Sequence, residues 1–307
     1  MGFGQDIVAL DEAEMAKVIS ADAKVEMCLD QTFKFIEGPV WFNDASVTGG
    51  GYLLFSDQPA NSIYKWSEGQ KEAAVFRNPS YVANGNVKDL QHRLVTCEQA
   101  LRRVAMTEAD GTVTVIVDRF EGKKFNSPND VVVTSDGCVW FTDPPYGVPK
   151  GEKREIDTQN VFRHDPKTGK TTAVITDMKM PNGLAFSPDE KTLYVAESDG
   201  NGPRDLKAFP VNPDGTLGEM RVFAALDQSR KKGVPDGLRV DKDGRVWSSA
   251  GDGVQIFLPD GKHIGTIVTP QTVTNLTFGG PDGKTIYMTA TKVLCRVETK
   301  MTGANDR

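Results

Sequence analysis

The chain has 307 residues, of which 38% are hydrophobic and 25% are charged, and its formal net charge is −6 at pH 7. The negative charge removes any general electrostatic attraction to nucleic acid or to an anionic membrane surface, and no apolar run is long enough to cross a bilayer. We therefore expect a protein that binds neither. The four cysteines lie far apart without a C-x-x-C pair, which predicts free, partly buried thiols in a reducing compartment.

The N-terminal segment predicts a short amphipathic helix, because Leu10, Met15, Val18 and Ile19 follow helical spacing. We expect residues 1–25 to form a helical appendage packed on the main domain, residues 26–300 to form that domain and residues 301–307 to form a C-terminal tail. The start of the chain lacks a basic region followed by an apolar core, so it does not resemble a secretory signal, and we predict a cytoplasmic location.

One pattern recurs along the rest of the chain: a polar residue, a short apolar run, a turn rich in Asp and Gly, and an aromatic or β-branched strand. The copies are spaced roughly 40 to 55 residues apart, which is typical of propeller blades. The copies begin at Glu37, Asn84, Asn129, Asn182, Asp236 and Asn275.

Further short strands between the copies, such as SIYKW (62–66) and VTVIVD (113–118), give each repeat about four strands. The sequence therefore predicts an all-β fold, a six-bladed β-propeller with four-stranded blades around a central channel. A β-sandwich is the alternative, but it would not repeat at this period. The segment CLDQTF (28–33), or the segment before it, is expected to supply the strand that closes the last blade.

The first residues of the copies predict a ring of oxygen-bearing side chains. In a propeller the innermost strands line the channel, so equivalent positions meet at one mouth. The ring contains no histidine or thiolate, which disfavours zinc and copper, whereas oxygen donors suit Ca²⁺. Glu37 and Asp236 would balance the charge of a divalent ion, and Asn129 and Asn182 would add neutral oxygens. Alternatively, these side chains bond only to water and to each other.

A second ring of acidic residues is predicted where the next strand of each blade returns to the same face. Its members are Asp57, Glu98, Asp143, Glu197 and Asp252. Asp57 and Glu197 are expected to be solvated rim charges. Asp143 is a candidate site residue because the rigid turn Pro144–Gly147, with Tyr146, follows it. The charged loop 147–160 is either a solvated excursion or a lid.

The sequence lacks a G-x-S-x-G elbow, an H-E-x-x-H motif, a P-loop and a dinucleotide fingerprint. Its three histidines do not suggest a Ser-His-Asp triad. Any hydrolysis is therefore expected to be metal-assisted rather than covalent through serine.

Several phrases resemble the family of senescence marker protein, gluconolactonase and luciferin-regenerating enzyme, and most of all its microbial gluconolactonases. They are EGPVW (37–41), RLVTCE (93–98), SPND (127–130), FTDPPYG (141–147), PNGLAFSPD (181–189) and PDGLRVD (235–241). The resemblance extends from about Phe35 to Ala290. It implies a divalent ion, usually calcium, at the channel mouth, with ligands at Glu37, Asn129, Asn182 and Asp236.

The sequence departs from the family at two places. Ser127 stands where animal members have an arginine that grips the sugar acid, and Gln99-Ala100-Leu101 follow Glu98 where the microbial pattern often has His-Gly. These changes put gluconolactone itself in doubt more than lactone hydrolysis in general.

We therefore expect a metal-dependent hydrolase of small-molecule lactones, preferentially aldonolactones, with Ca²⁺ as the ion and Zn²⁺, Mg²⁺ or Mn²⁺ as alternatives. Asp236 or Asp143 would be the general base. The expected substrate contacts are Asn84, Glu98, Ser127, Tyr146 and Asn275. The alternatives are an organophosphate hydrolase similar to diisopropyl fluorophosphatase, or a non-enzymatic binding propeller stabilised by the ion.

Overall fold

The computed structural model describes residues 4–304, and its dominant feature is a circle of six antiparallel sheets. Each sheet contains one of the six sequence repeats, so the predicted six-bladed propeller is confirmed. We number the blades in chain order. The innermost strand of every blade is the first strand of its repeat, as the ring hypothesis requires.

Each of the first three blades is formed from four consecutive strands. Blade 1 contains Ile36–Asn43, Gly51–Asp57, Ser62–Trp66 and Ala74–Arg77. Blade 2 contains Ala83–Lys88, Leu94–Glu98, Arg103–Thr107 and Val113–Val117. Blade 3 contains Val131–Val133, Val139–Asp143, Asn160–Asp165 and Lys170–Ile175. A small hairpin, Arg119–Phe120 with Lys123–Lys124, connects blades 2 and 3.

The last three blades follow the same order, with additions from the N-terminus. Blade 4 contains Pro181–Phe186, Thr192–Glu197, Asp205–Pro210 and Arg221–Ala225. Blade 5 contains Leu238–Val240, Val246–Ala250, Gly253–Phe257 and His263–Val268, with Ile7–Ala9 as a fifth strand. Blade 6 contains Asn275–Gly279, Thr285–Ala290, Val293–Glu298 and Glu26–Met27.

The propeller closes because the outermost strand of blade 6 comes from the opposite end of the chain. Glu26–Met27 pairs antiparallel with Val293–Glu298, and Met27 lies opposite Cys295. Arg296 reinforces the junction by donating to the Glu26 carboxylate at 2.9 and 3.0 Å. The expectation that a segment at or just before residues 28–33 closes the last blade is confirmed.

Aromatic side chains fill the space between neighbouring blades. Trp140 of blade 3 packs edge-on against Phe186 of blade 4, with ring centroids 5.2 Å apart. Trp41 of blade 1 stacks on Tyr287 of blade 6 at the same centroid distance, 5.2 Å. Such pairs bury large apolar areas in a defined geometry. They account for the aromatic residues that five of the six repeats carry.

The N-terminal segment is part of blade 5 as well as a helical addition to it. The helix is Glu12–Val18, and Asp11 caps it by accepting a hydrogen bond from the Glu14 N–H at 3.1 Å. Met15 is fully buried in the same hydrophobic cluster as Ile264. The sequence predicted the helix but missed the strand Ile7–Ala9, because three residues are too short to show an alternating pattern.

The C-terminal segment also joins blade 5. Gly303 bridges to Asp241, and the Ala304 N–H donates to the Val240 carbonyl at 2.8 Å, at the end of the innermost strand. The described part of the predicted tail is therefore bound to the channel end opposite the ring. Residues 305–307 of that tail, and residues 1–3 of the predicted appendage, lie outside the described residues. The domain boundaries themselves stay a prediction.

Two expectations from composition can be compared with the structure. All four cysteines are free thiols, and three of them are buried. No helix within residues 4–304 is long and apolar enough to cross a membrane.

We predict that the N-terminal segment stabilises the propeller. Met15→Ala should lower the free energy of unfolding by about 3 kcal/mol, because it leaves a cavity against blade 5. Leu10→Ala is the matched control, since Leu10 is 57% exposed and its truncation should change little. Urea unfolding of both variants measures the difference. Equal effects of the two substitutions would contradict the packing described here.

Candidate active site

The residues of the predicted ring do meet at one mouth of the channel. The Asn84 side-chain amide donates to the Asn129 side-chain oxygen, and the Asn129 amide donates to Asn182 Oδ1 at 2.7 Å. Glu37 and Asp236, from blades 1 and 5, are close enough for the charge of Glu37 to raise the pKa of Asp236. The structure therefore brings the predicted carboxylates and amides together.

Glycines next to the ring residues allow this convergence. The Gly183 N–H donates to the Asp236 carbonyl at 3.0 Å, and the Gly237 N–H donates to the Thr274 carbonyl at 2.7 Å. A Cβ at Gly183 would overlap the Asp236 carbonyl oxygen, and a Cβ at Gly237 would overlap the Asn275 side chain. The glycines of these Asn-Gly and Asp-Gly pairs therefore allow neighbouring inner strands to approach closely.

Hydrogen bonds connect the remaining blades at the same level. The Gly85 N–H of blade 2 donates to the Asn129 carbonyl beside blade 3 at 2.8 Å. Ser56 Oγ of blade 1 donates to the Asn84 carbonyl at 2.9 Å. Thr274 Oγ1, beside blade 6, donates to the Ile36 carbonyl of blade 1 at 2.7 Å. Every neighbouring pair of blades is therefore linked around the mouth, since the Asn129–Asn182 bond joins blades 3 and 4.

The two ring carboxylates are electrostatically strained in the protein alone. Burial raises the pKa of Glu37 to about 7, although the Gly38 N–H donates to its carboxylate at 2.9 Å and opposes the shift. Desolvation, followed by the charges of Glu37 and Asp130, raises the pKa of Asp236 well above its usual value. A cation between the carboxylates would relieve both effects.

The sequence analysis missed Asp130, which lies in the channel next to Asn129. Its side chain is 2% exposed. Oδ1 accepts a hydrogen bond from the Val131 N–H at 3.0 Å, whereas Oδ2 has no hydrogen-bond partner and lies 3.9 Å from the Arg239 guanidinium. Both Asp130 and Arg239 lie in phrases that the sequence analysis identified, SPND and DGLRVD. The only indication of a second layer of charged side chains in the channel was that Arg239 follows Asp236 by three residues on one inner strand.

The ring residues fit a hard divalent ion. Residues 4–304 contain no group of three His, Cys, Asp or Glu side chains placed to hold a metal. The ring offers two carboxylates and the side-chain oxygens of Asn129 and Asn182. Each amide oxygen accepts one hydrogen bond and keeps a second lone pair. All-oxygen sets of this kind suit Ca²⁺.

The second ring differs from the expectation. Asp57 and Glu197 are 2% and 4% exposed, so the prediction that they are solvated rim charges is wrong. Asp143 is also fully buried, and its oxygens accept hydrogen bonds from the Asn126 and Ser127 N–H groups at 2.7 and 2.8 Å. Burial raises the pKa of Asp143 to about 7 despite these bonds.

Glu98 and Ser127 are fully buried and bound to protein groups. Glu98 forms ion pairs with Arg77 at 2.9 Å and Arg103 at 2.6 Å. Ser127 Oγ donates to the Pro144 carbonyl at 2.6 Å and accepts from the Gly147 N–H at 2.9 Å. These contacts fix the loops around the mouth. Direct substrate binding by either residue stays a prediction.

Tyr146 is the predicted substrate contact that is most exposed. Its side chain is 48% exposed, and desolvation followed by the charge of Asp236 raises the pKa of its hydroxyl. The hydroxyl lies close to Ser198 and Asn182. Tyr146 therefore lies at the edge of the ring. Asn275 is buried within the ring, where its Oδ1 accepts from the Leu276 N–H at 2.8 Å.

Loop 147–160 is docked onto the propeller. Glu152 forms an ion pair with the buried Arg102 at 3.0 Å, and Arg154 Nε donates to Asn126 Oδ1 at 3.1 Å. Ile156 is buried in the cluster shared by blades 2 and 3. These contacts attach the loop to the propeller while residues 150–153 are exposed, so its description as a solvated excursion and its role as a lid both stay predictions.

The fold and these motifs match a known family. Residues 35–292 match the model described as the SMP-30/gluconolactonase/LRE-like region. The chain belongs to this family. It is 34% identical to the gluconolactonase of Zymomonas mobilis over 96% of this chain and 84% of that protein.

Two solved structures are similar throughout. A gluconolactonase from Xanthomonas campestris has a TM-score of 0.86 at 34% identity, covering 96% of this chain and 95% of that one. A structure described as a putative gluconolactonase has a TM-score of 0.85 at 36% identity, covering 97% and 99%. The calcium-binding protein regucalcin from Agrobacterium tumefaciens has a TM-score of 0.71 at 18% identity, covering 91% and 95%, which shows the shared fold alone.

We predict that Glu37 makes the stability of the metal-free protein depend on pH. The folded-state pKa of about 7 lies above the usual value of 4.5 for a glutamate. Its contribution is therefore fully present below the unfolded pKa and is lost as the pH rises through about 7. Between about pH 4.5 and pH 7, the melting temperature of chelator-treated wild type should fall more steeply with rising pH than that of Glu37→Gln.

Differential scanning calorimetry of both proteins in one buffer series measures the two slopes. Glu219→Gln is the control, because Glu219 is exposed on the surface and its removal should leave the wild-type slope. Parallel slopes for wild type and Glu37→Gln would refute the assignment.

Proposed function

We propose that this protein is a divalent-ion-dependent lactone hydrolase that acts on small-molecule aldonolactones. The main support for this proposal is that Glu37 and Asp236, from blades 1 and 5, converge with Asn129 and Asn182 at one mouth of the channel. Membership of the family and the similarity to gluconolactonases support the reaction class.

Calcium is the ion that the donor set favours. Two carboxylates and two amides supply only oxygen, and calcium accepts six to eight oxygen ligands with waters completing the shell. Mg²⁺ and Mn²⁺ also accept oxygen donors, whereas Zn²⁺ is less favoured by a ring without histidine or cysteine.

Each protein group can be given a task in the reaction. A divalent ion bound by the ring would supply Lewis-acid polarisation of the lactone carbonyl. Asp236 would accept a proton from the attacking water, and its backbone N–H is held by Ser249 Oγ at 2.9 Å. The Tyr146 ring would limit water access and orient the lactone from above the mouth.

Asp236 is better suited than Asp143 as the general base. Asp236 lies in the ring and is partly exposed, whereas Asp143 is fully buried and both of its oxygens accept backbone N–H bonds. A base must reach the attacking water directly or through one water. We therefore assign the proton transfer to Asp236.

Residues at the rim favour a substrate with an apolar part. Leu101 is 40% exposed and Tyr146 is 48% exposed. The turns that carry these residues touch, because a Cβ at Gly147 would overlap Gln99. Together with Ser127 in place of an arginine, this rim favours less polar aldonolactones over glucono-δ-lactone.

Two alternatives remain testable. The same ring could serve an organophosphate hydrolase, because an ion in it would polarise a phosphoryl oxygen in the same way. In a non-enzymatic binding propeller the ion would only link the blades. The predicted cytoplasmic location stays a prediction.

We predict that lactone turnover requires the ion. Chelator-stripped protein should release no protons from D-glucono-δ-lactone or from a panel of other lactones beyond spontaneous opening, and one added ion should restore turnover. A pH-stat measurement with Ca²⁺, Mg²⁺, Mn²⁺ and Zn²⁺ identifies the ion and the lactone class. Full activity after complete stripping would refute ion dependence. Turnover of organophosphates alone would favour the first alternative.

We also predict that Asp236→Asn lowers kcat by roughly 10²- to 10⁴-fold at saturating ion, because the amide cannot accept the proton. Asp243→Asn is the matched control, since Asp243 also precedes a glycine in the same repeat but lies at the opposite end of the blade and is exposed. Steady-state kinetics at several ion concentrations separates lost proton transfer from weakened ion binding. A kcat unchanged in Asp236→Asn would exclude it as the base.

A further inference from the structure

Three buried carboxylates bind the backbone just ahead of three ring residues. In blade 1, the Asp57 carboxylate accepts hydrogen bonds from the Lys34 N–H at 2.9 Å and from the Phe35 N–H at 3.2 Å. These two amides lie three and two positions ahead of Glu37. Each oxygen takes one amide, so the carboxylate fixes two successive peptide planes.

Blades 3 and 4 repeat this contact at the same positions. In blade 4, the Glu197 carboxylate accepts from the Lys179 N–H at 3.2 Å and from the Met180 N–H at 2.7 Å, three and two positions ahead of Asn182. In blade 3, the two amides bound by Asp143 lie three and two positions ahead of Asn129. In all three blades the acid is the last residue of the second strand.

The contact lies just before the inner strand begins to pair, and in blades 1 and 4 the pairing is interrupted soon afterwards. In blade 1 the register between the first two strands shifts between Glu37 and Val40, and in blade 4 it shifts between Pro181 and Leu184. The ladder therefore does not hold the ring residue from both sides. Charge-assisted bonds from a carboxylate to backbone amides are stronger than neutral ones, so they can hold this segment in place.

Blades 2 and 5 lack this contact: in blade 2 the acid that ends the second strand has other partners, and in blade 5 the nearest acid, Asp252, lies two residues beyond that strand. Glu98 forms ion pairs with Arg77 and Arg103, and Asp252 accepts from the Gln255 side chain at 3.3 Å. The contact thus occurs in the three blades that carry Glu37, Asn129 and Asn182. A general requirement of the fold would have produced it in blade 2 as well, where an acid ends the second strand and the register shifts in the same way.

We propose that Asp57, Asp143 and Glu197 are positioning residues that set the geometry of the ion-binding ring through these backbone amides. This inference rests on the proposed function, because it takes Glu37, Asn129 and Asn182 as ligands. It gives Asp143 a task that differs from proton transfer. The three acids form one set, which we call the ring clamps.

The test is the affinity for Ca²⁺, measured by isothermal titration calorimetry on chelator-stripped full-length protein. Asp57→Asn, Asp143→Asn and Glu197→Gln each replace one accepting oxygen by an NH₂ group. Each should raise the dissociation constant by about tenfold or more, as is typical when a group that orients a metal ligand is lost. Because binding is read directly, the result does not depend on finding the substrate.

Two controls separate positioning from general stability. Asp252→Asn changes a buried acid just beyond the second strand of blade 5 that makes no such contact, and it should keep an affinity close to wild type. Asp241→Asn removes a buried acid at the far end of blade 5, which accepts from Trp247 Nε1 at 3.1 Å. It should lower the melting temperature without changing the affinity.

Activity distinguishes the clamps from the base. At saturating Ca²⁺ the clamp variants should recover most of the wild-type kcat, whereas Asp236→Asn should not. Unchanged Ca²⁺ affinity in the clamp variants, or an equal loss in Asp252→Asn, would overturn the proposal. Wild-type protein that binds Ca²⁺ but hydrolyses no lactone would refute the proposed function and leave the clamps testable by affinity. Wild-type protein that binds no divalent ion would overturn both.

Hydrogen exchange of the wild-type protein provides a second measurement if a variant fails to fold. The amides of residues 34, 35, 126, 127, 179 and 180 should exchange as slowly as strand amides in the ion-free protein. Rapid exchange of these amides before ion addition would contradict the clamps, because the carboxylates would then not hold the backbone.

Discussion

The hydrogen bonds between neighbouring inner strands at the channel mouth are the constraint on which the site depends. They require backbones to approach closely at Gly85, Gly183 and Gly237, where a side chain would meet the next blade. The same bonds close the circle, because Thr274 of the last repeat binds the Ile36 carbonyl of the first. The same hydrogen bonds therefore close the propeller and bring the ring residues together.

This convergence has an electrostatic consequence. It brings Glu37, Asp236 and Asp130 into a buried space in which each carboxylate disfavours the charge of the others. Arg239 offsets part of this charge but lies 3.9 Å from Asp130. Because the charged form of these buried carboxylates is unfavourable in the ion-free protein, a divalent cation stabilises it more than it would stabilise solvated carboxylates. The raised pKa values of the carboxylates and the expected ion dependence therefore both follow from the convergence of the ring.

The repeat pattern in the sequence was sufficient to predict the propeller and the ring, because each copy begins with the polar residue that the fold brings to the mouth. The clamps were not predictable in the same way. Their acids and amides are 16 to 23 residues apart, and nothing local to Asp57 or Glu197 indicates burial rather than solvation. Asp130 was missed because its role depends on facing Arg239 from another blade across the channel.

The glycines and the ring clamps both contribute to the placement of the ring residues. Close approach between inner strands needs a residue without a side chain directly after Glu37 and Asn182, and the strand register shifts at that point in blades 1 and 4. The shift interrupts regular pairing directly after Glu37 in blade 1 and at Asn182 in blade 4, so the ladder alone does not hold these side chains in place. A carboxylate at the end of the rigid second strand restores that placement from outside the ladder. The positions of the ring side chains are then determined by the rigid second strand as well as by the first residues of the inner strand, as a preorganised binding site requires.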